Sequence, residues 1–255
     1  MLVTRPRDQS RELCTRLRAL GARAIVIPTI EILPPAPGGP LDDALRTLHR
    51  YDWVIVTSVN GAKACLARAR ALRLNLRKVK GVRWAAVGPA TAAALRGAGL
   101  RAAMVPSRYL TEAIARELPD VSSRRILLAR TDAATAALAD ALRARGATVD
   151  TVEAYRTVLA PTQQGPRIRR LIASGAVDTV LFTSASTVRG FLQLLGRPNG
   201  ALRTITIACI GPVTAGAAAE AGLRPDVVAS EHTVDGLVEA LRAVATARIQ
   251  RARGR

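Results

Sequence analysis

The chain repeats itself. Residues 54–60, VIVTSVN, resemble residues 180–186, VLFTSAS, 126 positions later. Residues 85–92, AAVGPATA, resemble residues 208–215, ACIGPVTA, at an offset of 123, and AGLR recurs at 98–101 and 221–224 with that same offset. Nearer the start, Arg5, Leu13, Leu17, Arg18, Ala19, Gly21 and Ala22 recur 125 positions on as Arg130, Leu138, Leu142, Arg143, Ala144, Gly146 and Ala147. Self-similarity at a nearly fixed period means that one supersecondary unit has been built twice, so any fold for this chain must hold two copies of about 120 residues.

The unit itself is α/β. Apolar runs such as WVIV (53–56), WAAV (84–87), TVLF (179–182) and TITIACI (204–210) show no polar alternation, as expected of strands buried on both faces of a parallel sheet. Each leads through a small-residue turn into an Ala/Leu-rich helical pattern, which predicts repeated right-handed crossovers. Aromatics make up only 3% of the chain, so the cores are expected to be built from Ala, Val, Leu and Ile. Helix stops are expected at Gly21, Gly99, Gly146 and Gly222, where a left-handed residue ends the helix before the next strand.

Two stretches punctuate the repeat: LPPAPGGP at 33–40 and APTQQGP at 160–166, at matching points of the two halves. They predict that the chain crosses twice between two domains. One domain is expected from residues 1–32 plus 160–245 and the other from 37–153, with 33–36 and 154–159 as linker segments and a cleft between the domains. The last ten residues, 246–255, read as a basic frayed tail.

The formal net charge is +19, from 38 Lys+Arg against 19 Asp+Glu, and nearly all the base is Arg. The arginines are scattered over helices, so a coding bias accounts for most of the charge; a polyanionic partner is the functional alternative. Cys14, Cys65 and Cys209 lie far apart with no CxxC, which fits a reducing cytoplasm. Arg5 and Arg7 precede any apolar run, so no signal peptide is expected, and Gly211 and Pro212 interrupt the uncharged stretch 204–219 too early for a membrane span. His49 and His232 are the only histidines and stand far apart, and no GxSxG, Walker A or GxGxxG occurs. Metal and nucleophile chemistry are therefore not expected.

In an open parallel sheet, ligands bind outside the carboxyl ends of the strands. The residues there are Thr4, Arg5 and Pro6; Thr57, Ser58, Asn60 and Gly61; Gly88, Pro89 and Thr91; Ser107; Arg130 and Thr131; Thr183, Ser184, Ala185 and Ser186; Gly211, Pro212 and Thr214; and Ser230. Most are hydroxyls and glycines at helix starts, where free amides and the helix dipole attract carboxylates. A single Ser or Thr at such a place is ordinarily an N-cap, but duplicated pairs at four helix starts favour a site for a ligand with many carboxylates. Glu31, Asp150 and Glu153 lie near the crossings and read as solvated linker positions. Tyr155, in VEAYRT, is either a packing aromatic at a hinge or a phenol that donates a hydrogen bond.

Taken together, TRPRDQS at the start, FTSAS followed by VRGF, IACIGPVTA, AGLRPDVVASEHTVDGLVEAL and the tyrosine of VEAYRT resemble the uroporphyrinogen-III synthase family over the chain up to about residue 245. The resemblance implies two flavodoxin-like domains, the first made from both chain ends. It also implies a reaction in the cytoplasm: hydroxymethylbilane loses its hydroxyl, the terminal ring is attacked at its substituted carbon through a spiro intermediate, and the macrocycle closes with that ring inverted. No cofactor or metal is implied, and a monomer is expected, with transient contact to the preceding pathway enzyme. Tyr155 takes the place of the tyrosine that assists departure of the hydroxyl, Thr91 and Thr214 fall on cleft threonines, and Ser58, Ser184 and Ser186 fall on loops that bind side-chain carboxylates. One departure is SRYLTE after Pro106, which lacks the acidic residues often seen before this helix. A non-catalytic two-lobed polyanion-binding protein is the alternative reading; nucleic-acid binding draws on charge alone, without a stacking platform.

Overall fold

The computed structural model describes residues 1–108, 111–132, 134–196 and 200–253. The first half runs β1 (Leu2–Val3), α1 (Arg11–Ala19), β2 (Ile25–Val26), β3 (Ile30–Leu33), α2 (Pro40–Arg46), β4 (Trp53–Val56), α3 (Val59–Ala71), β5 (Arg83–Ala86), α4 (Pro89–Gly97), β6 (Ala102–Met104) and α5 (Thr111–Glu117). The second runs β7 (Arg125–Thr131), α6 (Ala137–Ala144), β8 (Thr148–Leu159), α7 (Gln164–Ala173), β9 (Thr179–Phe182), α8 (Ala185–Leu195), β10 (Thr206–Cys209), α9 (Pro212–Glu220), β11 (Val227–Val228) and α10 (Val234–Arg253). Gly21, Gly99, Gly146 and Gly222 all have φ between +75° and +87°, which ends α1, α4, α6 and α9 where the sequence expects them to stop.

The chain forms two compact units, one of Met1–Glu31 with Val158–Arg255 and one of Ile32–Thr157. In the first unit the sheet order is β11-β10-β9-β1-β2, every pair parallel. In the second it is β3-β8-β7-β4-β5-β6, with parallel pairing from β8 through β6. Leaving the extra strand β3 aside, the first unit has the flavodoxin-like order, in which the second strand lies outside the first and the third lies on the other side. The second unit has the same order once its strands are matched through the sequence repeat, β7 and β8 to β1 and β2, and β4, β5 and β6 to β9, β10 and β11; in chain order it is a permuted version, because β7 and β8 come last. The order therefore reverses between β1 and β9 in the first unit and between β7 and β4 in the second, which marks the two switch points where ligands bind in such sheets.

Both sheets are covered on both faces. In β4, all of Trp53, Val54, Ile55 and Val56 are buried; Val54 and Val56 pack with Leu41, Leu45 and Leu95, while Trp53 and Ile55 pack with Ile114, Leu118 and Leu138. Burying side chains of this size contributes about 1.5–3 kcal/mol each, which is why the runs lack alternation. In the first unit Phe182 of β9 meets Phe191 of α8 edge to face, with ring centroids 5.3 Å apart.

Residues 154–159, expected as a linker, contain the boundary between the two units, at Thr157/Val158, and are the last part of strand β8, with Val152, Ala154 and Tyr155 all buried in the second unit's core. One sequence expectation differs from the structure. Residues 246–253, expected to fray, extend α10, in keeping with the good helix propensity of Ala, Arg and Gln; Gly254 and Arg255 lie outside the described residues. Among the described residues, no helix is long and apolar enough to cross a membrane.

Candidate active site

Each unit presents its own loops at the carboxyl ends of its strands. In the second unit, Ser58 ends β4 and caps α3, accepting from the Gly61 amide at 3.1 Å. The next residue but one inside the helix start, Asn60, and the capping serine both hydrogen-bond the Tyr155 side chain, with Ser58 Oγ 3.0 Å from the Tyr155 hydroxyl. Tyr155 projects from β8 beside them and is 8% exposed. Gly61 packs against this pair: a Cβ there would be in ordinary contact with Ser58 Oγ at 3.5 Å and the Tyr155 ring at 3.9 Å, and would crowd only the Ala129 carbonyl, at 3.3 Å. The predicted residues Ser58, Asn60, Gly61 and Tyr155 are thus brought into one cluster. Burial pushes the Tyr155 hydroxyl above the usual tyrosine range and Asp132 adds to the rise, against the opposing hydrogen bonds of Ser58 and Asn60. The phenol stays protonated at neutral pH and can donate.

Arg130 ends β7 next to this cluster, and its guanidinium donates to the Thr135 carbonyl. Burial lowers its pKa, helped by Arg143 and opposed by Asp140. It walls a cavity of about 370 Å³ at the second unit's switch point, together with Thr57, Thr111, Glu112, Thr135 and Leu138. Thr111 and Thr135 were not singled out from sequence. They belong to the start of α5 and the turn before α6, segments with no counterpart among the repeated motifs, so only the position of Arg130 at a strand end could have pointed to them.

The first unit's loop is built differently. Ser184 caps α8 and accepts from the Thr187 amide at 3.2 Å, while the Thr187 hydroxyl lies 3.3 Å from the Ser184 amide and donates to the Ser184 carbonyl at 2.7 Å. Thr29 donates to the Thr187 carbonyl at 3.0 Å. The cap is closed upon itself. Ala185 and Ser186 form the first turn, where backbone amides have no partner within a helix. Thr4 is fully buried and donates to the Leu181 carbonyl at 2.7 Å, so it ties β1 to β9. Arg5 follows it, partly buried; burial lowers its pKa, opposed by Glu12 and Asp8.

The two GPxT loops match more closely. Gly88 and Gly211 are N-caps of α4 and α9, each followed by Pro at the first helical position. Thr91 and Thr214 stand in the first turns, 5% and 4% exposed. Gly211 has a packing reason to be glycine, since a Cβ would meet the His232 ring at 2.7 Å. Ser107 is taken up elsewhere: its amide and hydroxyl each donate to the Glu117 carboxylate at 2.8 Å, which holds that carboxyl below its ordinary range. Tyr109 and Leu110, in the stretch that leads into α5, lie outside the described residues. Asp150, read as a solvated carboxylate, accepts from Tyr51 at 2.9 Å and from Arg125 at 2.8 Å. Glu153 pairs with Arg156 at 2.7 Å.

The sequence profile described as uroporphyrinogen-III synthase HemD matches residues 11–239. The uroporphyrinogen-III synthase of Synechococcus elongatus is 33% identical over 94% of this chain and 93% of its own length. The porphyrin biosynthesis protein HemD of Ruminiclostridium josui is 31% identical over 94% of this chain, which spans 47% of that longer protein. Among solved structures, a mutant uroporphyrinogen III synthase of Thermus thermophilus has the same fold, with a TM-score of 0.70 at 20% identity over 96% of this chain and 98% of that one.

Proposed function

The chain belongs to the uroporphyrinogen-III synthase family, and from that premise we propose that it is a hydro-lyase that closes hydroxymethylbilane into uroporphyrinogen III. The pyrrole nitrogen pushes out the terminal hydroxyl, which leaves as water once it gains a proton. The substituted carbon of the last ring then attacks the resulting methylene, and reopening of the spiro intermediate inverts that ring. The chemistry needs no strong acid from the protein, because the leaving group departs from an activated position. It needs a donor at that oxygen and a grip on a flexible, carboxylate-rich chain.

The observation that carries this reading is the buried pair of Tyr155 and Ser58. A phenol whose pKa is raised by burial holds its proton at working pH, and a hydroxyl 3.0 Å away can reorganise to share it. The Arg130 cavity, the free amides ahead of α3 and α8, and the Thr91 and Thr214 hydroxyls supply the remaining donors for carboxylate arms. Gly88, Gly211, Asn60, Gly61, Thr4, Arg5, Ala185 and Ser186 shape or line the same loops. Ser107 contributes through its hold on Glu117. Three free, buried thiols, Cys14, Cys65 and Cys209, suit a reducing cytoplasm.

The deciding measurement supplies purified protein with freshly made hydroxymethylbilane, oxidises the product and separates the isomers. Uroporphyrin III is expected in excess. The type I isomer alone, which forms without an enzyme, would overturn the proposal.

A further inference from the structure

Between Trp53 and Thr111 the chain carries eleven Lys and Arg and not one Asp or Glu. Two of these cations have acidic partners elsewhere: Arg68 with Asp42 and Arg83 with Asp120. Arg77, Arg96 and Arg101 have none among the described residues, and all three are exposed. They converge. Arg96 and Arg101 wall an open groove of about 560 Å³ floored by Ala92, Leu100 and Val105, and running along β6. Arg77 reaches the same place, with its Cδ and Nε 3.1 Å from where a Cβ on Gly99 would stand. A helix C-terminus attracts one cation, which accounts for Arg96 at the end of α4 but not for three arginines around an apolar floor. Val105 is 39% exposed there.

We propose that this groove beside edge strand β6 is a docking surface for an acidic protein segment with interspersed apolar side chains. Arginine forks match carboxylates two bonds at a time, and the floor accepts apolar groups between them. A bilayer surface cannot enter a groove, and nucleic acid finds no aromatic platform among residues 85–108. A second copy of this chain is repelled, since each carries a net charge of +19.

Fluorescence anisotropy with a short labelled peptide alternating Glu and Val tests this. Wild-type protein is expected to bind it, about 10-fold more weakly at about 0.5 M salt, and the Arg96→Glu/Arg101→Glu variant to bind at least about 30-fold more weakly with unchanged turnover. The milder Arg96→Gln/Arg101→Gln variant, which only removes charge, is expected to fall between. No binding by wild type, binding by the charge-reversed variant within about twofold of wild type, or equal binding of a Lys/Val peptide would each overturn the proposal. Tighter binding of single-stranded DNA or anionic vesicles, abolished by the same variant, would also overturn it in favour of those partners.

Discussion

The two TS loops occupy the same place in duplicated frames, yet one cap is sealed by a reciprocal side-chain bond and the other is open to a tyrosine. At the start of α8 the third helical residue is Thr187, whose hydroxyl and backbone amide complete a reciprocal cap with Ser184. At the start of α3 that position is Gly61, which has no side chain to return such a bond, and the capping Ser58 meets the Tyr155 hydroxyl instead. The helices behind the loops differ as well. α8 is fastened by Val188, Phe191, Leu194 and Leu195, whereas α3 buries only Gly61, Ala62, Cys65 and Ala69. In place of bulk, α3 has Arg68, bonded through Nε at 2.8 Å to the buried carboxylate of Asp42 on α2. Duplication supplies the frame, and the two caps diverge at the third residue of each helix.

The largest test removes that ionic fastening. Arg68→Met leaves the Asp42 carboxylate without its main partner and is expected to give the largest loss of stability in the second unit; hydrogen exchange should speed up in α2 and α3 and stay unchanged in α8. The same pair makes the contrast depend on pH. Bonding to Arg68, chiefly, holds the Asp42 pKa down to about 2. A carboxyl depressed on folding stabilises the native state above its ordinary pKa of about 4 and loses that contribution as pH falls toward 2. Acid titration followed by exchange should therefore loosen α3 before α8, and loss of both together would sink the idea.

Next in size, Tyr155→Phe is expected to lower type III product formation about 100-fold while the melting temperature barely moves. Unchanged turnover would remove Tyr155 from the mechanism. Gly61→Thr copies the sealed loop into the open one: the new side chain crowds the Ala129 carbonyl, which cannot yield, and the expected cost is about 2 kcal/mol of stability together with loss of activity. The smallest effects come from a matched pair. Ser58→Ala and Ser184→Ala each remove a cap and should cost about 1 kcal/mol, but only Ser58→Ala should also slow turnover.

Much of this was legible in the chain. The repeats at WVIV and TVLF announced strands buried on both faces because parallel sheets leave no polar side, and Arg5 with Arg130 marked the equivalent strand ends. Tyr155 stood out as the lone aromatic of its segment. What pattern could not reveal was the difference between the copies. Thr187 and Gly61 are both ordinary residues for a helical first turn, and only the backbone carbonyl of Ala129 gives Gly61 its meaning. The bond between Ser107 and Glu117 joins residues ten apart across the segment leading into α5, and Asp150 looked solvated because its partners are distant in sequence, Arg125 on β7 and Tyr51 in the connection before β4.

The exchange of strands between halves also sets a timetable. Leu2 pairs with Val180, so β1 lacks its inner neighbour until β9 has also left the ribosome. At typical synthesis rates of about 5–20 residues per second, that wait is roughly 10–35 seconds. The second unit, by contrast, is contiguous over Ile32–Thr157 and can complete its sheet during that interval. Strand β1 is thus born as a tethered, unfinished piece, exposed to mispairing for as long as translation of the segment between it and β9 lasts.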